Sequence, residues 1–443
     1  MTARSAGRRR SWVGPAAIVL LALALRLGAI AGDSGYRPAN DAFEYDYYAR
    51  SVAAGEGYPR SGYLLYGGPT AIRGPGYPYL LGAVYAVFGD GVTAGRWLGA
   101  LLGALAVLLL YAISKRVWGR RTGLLAALLA AVFPPLVLLS RDLVSESLFI
   151  PLELGAILCG LEFRRSGRLL RWAVAAGGLC GLAALTRNTG LLLIVPVAIG
   201  LWPATPRPRR ISLAAPLVAV AALFLVTLPW LVRDEAEFGR LVPITTSAGI
   251  ATAGTYNEAS FEDGASHGAW RDPQIVPQFV RLFTTRGIDE AAMDARLRKA
   301  AGAFAWGHPA YVAETSAWNV LRLFEIVGGS VVDAGGRPVV DRGIGSADPP
   351  LERIGLVLVV PLALWGIALI VLARRSARER VGPPTIPSGP AFLWLVPAVL
   401  LLVAIPVAGL PRYRLPADPF LLLLAAIAIG WLWDRQMRKH GTR

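Results

Sequence analysis

Apolar stretches of about membrane length recur from one end of the chain to the other, and no other feature limits its fold as strongly. A spanning helix needs roughly 20 apolar residues. About ten stretches reach or approach that length: Trp12 to Ala31, Val92 to Ile113, Thr122 to Leu139, Leu143 to Leu161, Trp172 to Leu185, Gly190 to Trp202, Ile211 to Leu231, Leu351 to Leu372, Ala391 to Leu410 and Pro416 to Trp433. The fifth and sixth are short and share the break "LTRNTG". With 55% hydrophobic residues and a mean hydropathy of +0.50, the expected fold class is an all-α polytopic membrane protein with about ten transmembrane helices. The opening stretch has a basic start that a signal peptide would share. Its interior Arg26 and the lack of a small-x-small cleavage site favour an uncleaved first span.

Charge orients this bundle. With the N-terminus in the cytoplasm, "RSAGRRR", "KRVWGRR", "EFRRSGRLLR", "ATPRPRR", "ARRSARER" and "DRQMRKHGTR" fall inside, carrying 23 of the 45 Lys and Arg and only Glu162, Glu379 and Asp434 as acids. This positive-inside pattern accounts for most of the +16 net charge, so the basic balance needs no nucleic-acid partner. The opposite face receives the loop 33–90, a segment of about 233–350 and the link "LPRYR". The organisation expected is therefore a membrane module at 1–232 with its first outer loop, an extracytoplasmic and partly helical segment at 233–350, and C-terminal membrane helices at 351–443. Cys159 and Cys180 both lie in apolar stretches, and His267, His308 and His440 are scattered, so neither a disulfide framework nor a cysteine or histidine metal site is expected.

The chemistry-bearing residues gather in the first outer loop. In "NDAFEYDYYARSVAAGEGY", Phe43, Tyr47 and Val52 can share a face of a short helix that ends at Gly55 to Gly57. The apolar "YPYLLGAVYAVFG" is too short to span comfortably and is expected along the interface. Between them "RGPGYP" supplies a rigid turn and the fixed charge of Arg73. Asp41 has two readings. It is a preferred helix N-cap, with Glu44 three residues on as in a capping box. It is equally a carboxylate placed to take a proton from an attacking hydroxyl, beside an arginine able to grip a phosphate. Glu44 and Asp46 read first as surface charges. Arg187 in "LTRNTG" is either a snorkelling cation or a functional group, and Arg233 and Asp234 read as helix-end charges. Apolar spacing in the outer segment suggests amphipathic helices, with His308 of "GHP" as a turn residue.

Together with "TAIRGPGYPYLLGAVYAVFGD", "SRDLVSESLFIPL", "GLAALTRNTGLLLIVPV", "PWLVRDEAEFGRLVPITTSAGI", "ATAGTYNEASFEDG" and "RYRLPADPFLLLLAA", this loop resembles the bacterial family 39 glycosyltransferases, relatives of protein O-mannosyltransferases and of the lipid A aminoarabinose transferase. The resemblance implies a C-type glycosyltransferase bundle with amphipathic helices in the first outer loop. It also implies sugar transfer, with inversion, from a polyprenyl-monophosphate donor on the outer face of the inner (plasma) membrane. It assigns Asp41 as general base, Arg73 as donor-phosphate ligand, Arg141 as a second phosphate ligand, Glu146 as an acid near the site, and Arg412 and Arg414 as basic residues near the donor phosphate. Ala42 stands where many relatives carry Glu, so that acid is absent or replaced by Glu44. The acceptor stays open among lipid, glycan and protein. No cofactor is required, since arginines can stabilise the departing phosphate and no DxD motif or His cluster points to a divalent metal. A lipid-linked sugar transporter or flippase is the alternative, as spans with intramembrane arginines suit a translocation path; a ligase acting on polyprenyl diphosphates is a second.

Overall fold

In the computed structural model, residues 2–89, 91–166, 170–202, 213–333, 335–339, 349–379 and 387–440 are described. The basic segment 204–210 lies outside them. Among the described residues, 190–193 lie in a 3-10 turn and the other apolar stretches singled out above lie mostly on helices. In chain order these are α1 (Thr2–Ala31), α2 (Asp41–Ala53), α3 (Gly76–Phe88), α4 (Val92–Val132), α5 (Pro134–Leu138), α6 (Glu146–Arg165), α7 (Leu170–Thr186), α8 (Ile194–Leu201) and α9 (Ala214–Phe238). In the outer segment three short helices, Ala248–Ala253, Glu258–Glu262 and Val280–Thr284, precede its two long ones, α10 (Glu290–Gly307) and α11 (Pro309–Leu323). The C-terminal helices are α12 (Pro349–Glu379), α13 (Ala391–Val407) and α14 (Asp418–His440).

Five described segments are long and apolar enough to cross a membrane: 13–31, 92–132, 214–238, 350–375 and 411–437. The chain is a multi-pass membrane protein. The segment 92–132 joins two of the apolar stretches as the halves of α4, bent at Gly119, whose φ of 87° and ψ of 174° suit glycine and break the helix within "KRVWGRR". Other apolar stretches are cut short or charged for local reasons. Arg187, extended at φ −149° and ψ 138°, separates α7 from the 3-10 turn Asn188–Leu193 and α8, and α6 carries Glu146, Glu153 and Glu162 along its length.

The helices pack through small side chains. Ala126, Ala130, Ala173, Ala176, Ala183 and Ala219 are all at most 2% exposed in one core cluster, which lets helix backbones approach where lipid offers no hydrophobic drive between them. The buried Arg26 has a structural partner: its guanidinium donates to the carbonyls of Ala22, Ala130 and Ala131, two of which belong to the last turn of α4. Those carbonyls have no intrahelical partner, and a cation there also meets the negative end of the helix dipole.

Outside the bundle, the first outer loop and the outer segment share a core. Tyr48, Leu64 and Ile72 join Ile250, Phe279, Phe283, Met293 and Leu297 in one buried cluster. A small sheet, β1 (Trp270–Arg271), β2 (Val331–Val332) and β3 (Pro338–Val339), pairs β1 parallel and β3 antiparallel to the central β2. On α2, Tyr45 and Tyr48 are buried, whereas Phe43 and Tyr47 face outward. On α3, Tyr77, Leu81 and Tyr85 are buried, while Tyr79, Val87 and Phe88 are exposed.

Candidate functional site

Three carboxylates and three guanidinium groups from five parts of the chain meet where the bundle joins the outer loop. Asp41 and Glu44 stand on the first turn of α2, three residues apart and therefore on one face. The N-cap reading of Asp41 is not what forms. Asn40, at φ 51°, takes the cap position without a side-chain bond, and the helix starts at Asp41 itself. This places the Asp41 carboxylate beside the helix, free to reach across it. Arg73, on the irregular strap between α2 and α3, donates two bonds to that carboxylate, at 3.1 and 2.5 Å, and its Nε donates to Glu44 at 2.8 Å. Arg412, from the 3-10 turn Pro411–Ala417, pairs with Asp41 from the other side.

The network continues into α6 and the break that follows α7. Glu146, fully buried on the first turn of α6, pairs with Arg187 at 2.5 Å and lies 3.9 Å from the Arg412 Nε. Arg187 also donates to the Ser145 hydroxyl at 3.1 Å. The line of charge thus runs Glu44, Arg73, Asp41, Arg412, Glu146, Arg187. Aromatic rings pack its sides: the Arg73 guanidinium lies 5.6 Å from the Tyr45 ring centre, and Tyr413 lies 5.4 Å from that of Arg412 and 5.5 Å from that of Arg187. The Tyr63 hydroxyl donates to Glu44 at 2.8 Å, and that of Tyr58 to the Arg73 carbonyl at 2.7 Å.

Burial alone would push the Asp41 carboxyl up, but Arg412 and Arg73 outweigh it and hold the group well below the usual carboxylate range. Burial lifts the Tyr63 hydroxyl well above its ordinary value, which keeps it a donor. Asp41 is therefore fully ionised and engaged by both arginines in this state.

Two arginines expected at this place sit elsewhere. Arg141 belongs to a neighbouring cluster, in which it lies 3.3 Å from Asp33 while Arg96 pairs with the same carboxylate at 2.9 Å. Arg414 is turned away: its Nε donates to Asp418 at 2.8 Å, another of its nitrogens donates to the Leu323 carbonyl, and it is 1% exposed. In a 3-10 turn, with three residues per turn, positions 412 and 414 point to different sides, so only one of the pair can face Asp41. Arg233 and Asp234 pair at the end of α9, at 2.9 Å, and Arg233 also reaches the Thr70 carbonyl at 2.8 Å. Tyr63 and Tyr413 went unnoticed in the sequence. Tyr413 had a signal, as the centre of "RYR"; Tyr63 had none.

A family model described as dolichyl-phosphate-mannose-protein mannosyltransferase matches residues 72–232, a stretch containing Arg73, Arg141, Glu146 and Arg187. The undecaprenyl phosphate-alpha-4-amino-4-deoxy-L-arabinose arabinosyl transferase of Pseudomonas aeruginosa (strain LESB58) is 35% identical over 158 residues, 34% of this chain and 28% of that protein. The match therefore spans less than a third of the relative's length. The apo crystal structure of the Archaeoglobus fulgidus oligosaccharyltransferase superposes with a TM-score of 0.56 at 15% identity, covering 97% of this chain and 52% of the other. The archaeal oligosaccharyltransferase AglB from Archaeoglobus fulgidus, in complex with an inhibitory peptide and a dolichol-phosphate, gives 0.55 at 16% identity, covering 97% and 51%. The chain has the C-type membrane glycosyltransferase fold. The family match is confined to 72–232; Asp41, Glu44 and Arg412 lie outside the matched stretch and meet its residues in space.

Proposed function

We propose that the protein transfers a sugar from a polyprenyl-monophosphate donor to an acceptor hydroxyl or other nucleophile, on the extracytoplasmic face of the plasma (inner) membrane. The observation that carries this reading is the Asp41 carboxylate held between Arg73 and Arg412. Two convergent guanidinium groups at the membrane rim suit a phosphate monoester, which Arg recognises through bidentate contacts. The relatives named above act on an undecaprenyl-phosphate sugar or were solved with dolichol-phosphate.

The charge balance suggests how donor and base are coupled. Three carboxylates already match three arginines, so an arriving phosphate must draw guanidinium groups from a carboxylate. Asp41, which engages both Arg73 and Arg412, is the one to release. Freed of them, its pKa rises toward the ordinary value and it becomes a better proton acceptor. The acceptor oxygen then forms a bond to the anomeric carbon while the bond from that carbon to the phosphate oxygen breaks. The electron pair leaves with the polyprenyl phosphate, the acceptor proton passes to Asp41, and attack opposite the leaving group inverts the centre. Arg73 and Arg412 stabilise the charge on the departing phosphate. Glu146 and Arg187 hold Arg412 from below, Glu44 holds Arg73, and Arg141 lies in the adjoining cluster as a ligand for a more distal donor oxygen. In this reading residues 1–232 are the catalytic module with the outer loop 33–90, 233–350 caps it, and 351–443 supplies Arg412.

The test is donor consumption. Purified protein in liposomes, given a panel of polyprenyl-monophosphate sugars and envelope extract, should cleave one of them and release polyprenyl phosphate, and Arg73→Ala should lose this. Movement of an intact donor across the bilayer without cleavage would replace the reading with transport.

A further inference from the structure

The strap that carries Arg73 has no regular secondary structure, so partners must set its shape. Those partners come from the outer segment, more than 150 residues away. Glu290, on the first turn of α10 and fully buried, accepts three hydrogen bonds on one carboxylate oxygen: from the Thr70 hydroxyl at 2.9 Å, the Ala71 amide at 3.0 Å and the Thr246 hydroxyl at 2.9 Å. The Thr246 amide returns a bond to the Ala71 carbonyl at 2.9 Å, so both backbone groups of Ala71 are satisfied by the outer segment. Arg233 closes on the Thr70 carbonyl at 2.8 Å. Ile72, 2% exposed, is buried in the cluster that holds Phe279, Phe283, Met293 and Leu297. Arg73 is the next residue, and it alone of this run turns its side chain toward Asp41.

We infer that Glu290 is a positioning residue for the donor site: through Thr70 and Ala71 it fixes the strap, and with it the Arg73 guanidinium, so that the outer segment sets the grip on the donor phosphate. This rests on the reading of Arg73 as a phosphate ligand. A buried carboxylate that collects a backbone amide and two hydroxyls is a directional tether, because removing it leaves three donors unpaired at once. An apolar contact at the same place would fill space without fixing register.

The test separates the tether from the site it serves. Glu290→Ala should raise the KM for the donor by about tenfold or more with kcat changed by less than about threefold, the pattern of lost ground-state positioning. Glu290→Gln, which keeps an oxygen acceptor, should return KM to within about threefold of wild type. Backbone amides of 71–74 should exchange faster with solvent in Glu290→Ala, whatever the activity. If Glu290→Ala does not fold, Thr246→Val, which removes one donor at constant shape, should still raise KM and speed the same exchange. An unchanged donor KM in either folded variant, or unchanged exchange at 71–74, overturns the inference. Absence of donor cleavage by the wild type overturns the functional reading instead, and the exchange measurement then decides the tether by itself.

Discussion

Replacing Gly74 by alanine should lower kcat/KM for the donor about a hundredfold without unfolding the protein. A Cβ on Gly74 would stand 2.3 Å from the Leu185 carbonyl oxygen and 3.0 Å from its carbon, where ordinary contact begins at 3.4 Å. Both atoms are backbone at the end of α7, so neither can rotate away, and the strap must retreat by about 1 Å. Arg73 precedes Gly74 and moves with it. A misplacement of about 1 Å at a positioning group costs on the order of 10²-fold in rate, or about 2.7 kcal/mol in barrier height. The assay is the initial rate of sugar release from a polyprenyl-monophosphate donor, alongside Gly62→Ala on the same loop. Gly62 has nothing within 4 Å of its would-be Cβ, so that variant should match wild type. A folded Gly74→Ala protein with a rate within about twofold of wild type would refute the reasoning, since the contact with α7 would then have no hold on Arg73.

Two further outcomes follow from the charge network. Arg187→Ala leaves the fully buried Glu146 with the Ser145 hydroxyl at 3.4 Å and, as a cation, Arg412 at 3.9 Å. Breaking a buried pair costs about 3–5 kcal/mol, and about 2–3 here because Arg187 is partly solvated. Adding Glu146→Gln should recover much of that loss, read as a non-additive double-mutant cycle in thermal unfolding in detergent; simple additivity would contradict the pairing. The Asp41 carboxyl titrates lower in the fold than in the unfolded chain, so its ion pairs contribute stability that is complete above about pH 5 and is lost as pH falls through and below the ordinary carboxylate range. Asp41→Asn should therefore flatten the acid limb of Tm against pH, and an acid limb identical to that of wild type would remove Asp41 from the network.

Much of the bundle was legible because apolar length and basic punctuation are properties of single segments. Asp41, Glu44 and Arg73 were legible for a similar reason, since 32 residues or fewer separate them and one short helix and one strap bring them together. What local pattern could not supply was the rest of the site. Arg412 reaches Asp41 across 371 positions, and nothing in "RYR" says which arginine turns inward until the 3-10 turn fixes it. The capping-box pattern at Asp41 and Glu44 misled for an equally physical reason: moving the helix start by one residue, to put Asn40 at the cap, converts a cap side chain into a cross-chain ligand. The hold of Glu290 on Thr70 and Ala71 is likewise a tertiary fact, carried by an acid that sequence alone would leave on a helix surface.

The most direct test of the account is to measure donor affinity and turnover together in Asp41→Asn. If Asp41 is the base and a competitor for Arg73 and Arg412, the variant should bind the polyprenyl-monophosphate sugar at least as tightly as wild type. Its kcat should fall by about 10²- to 10⁴-fold, the range for loss of a general base. Asp41→Asn protein that transfers sugar at the wild-type rate would contradict it.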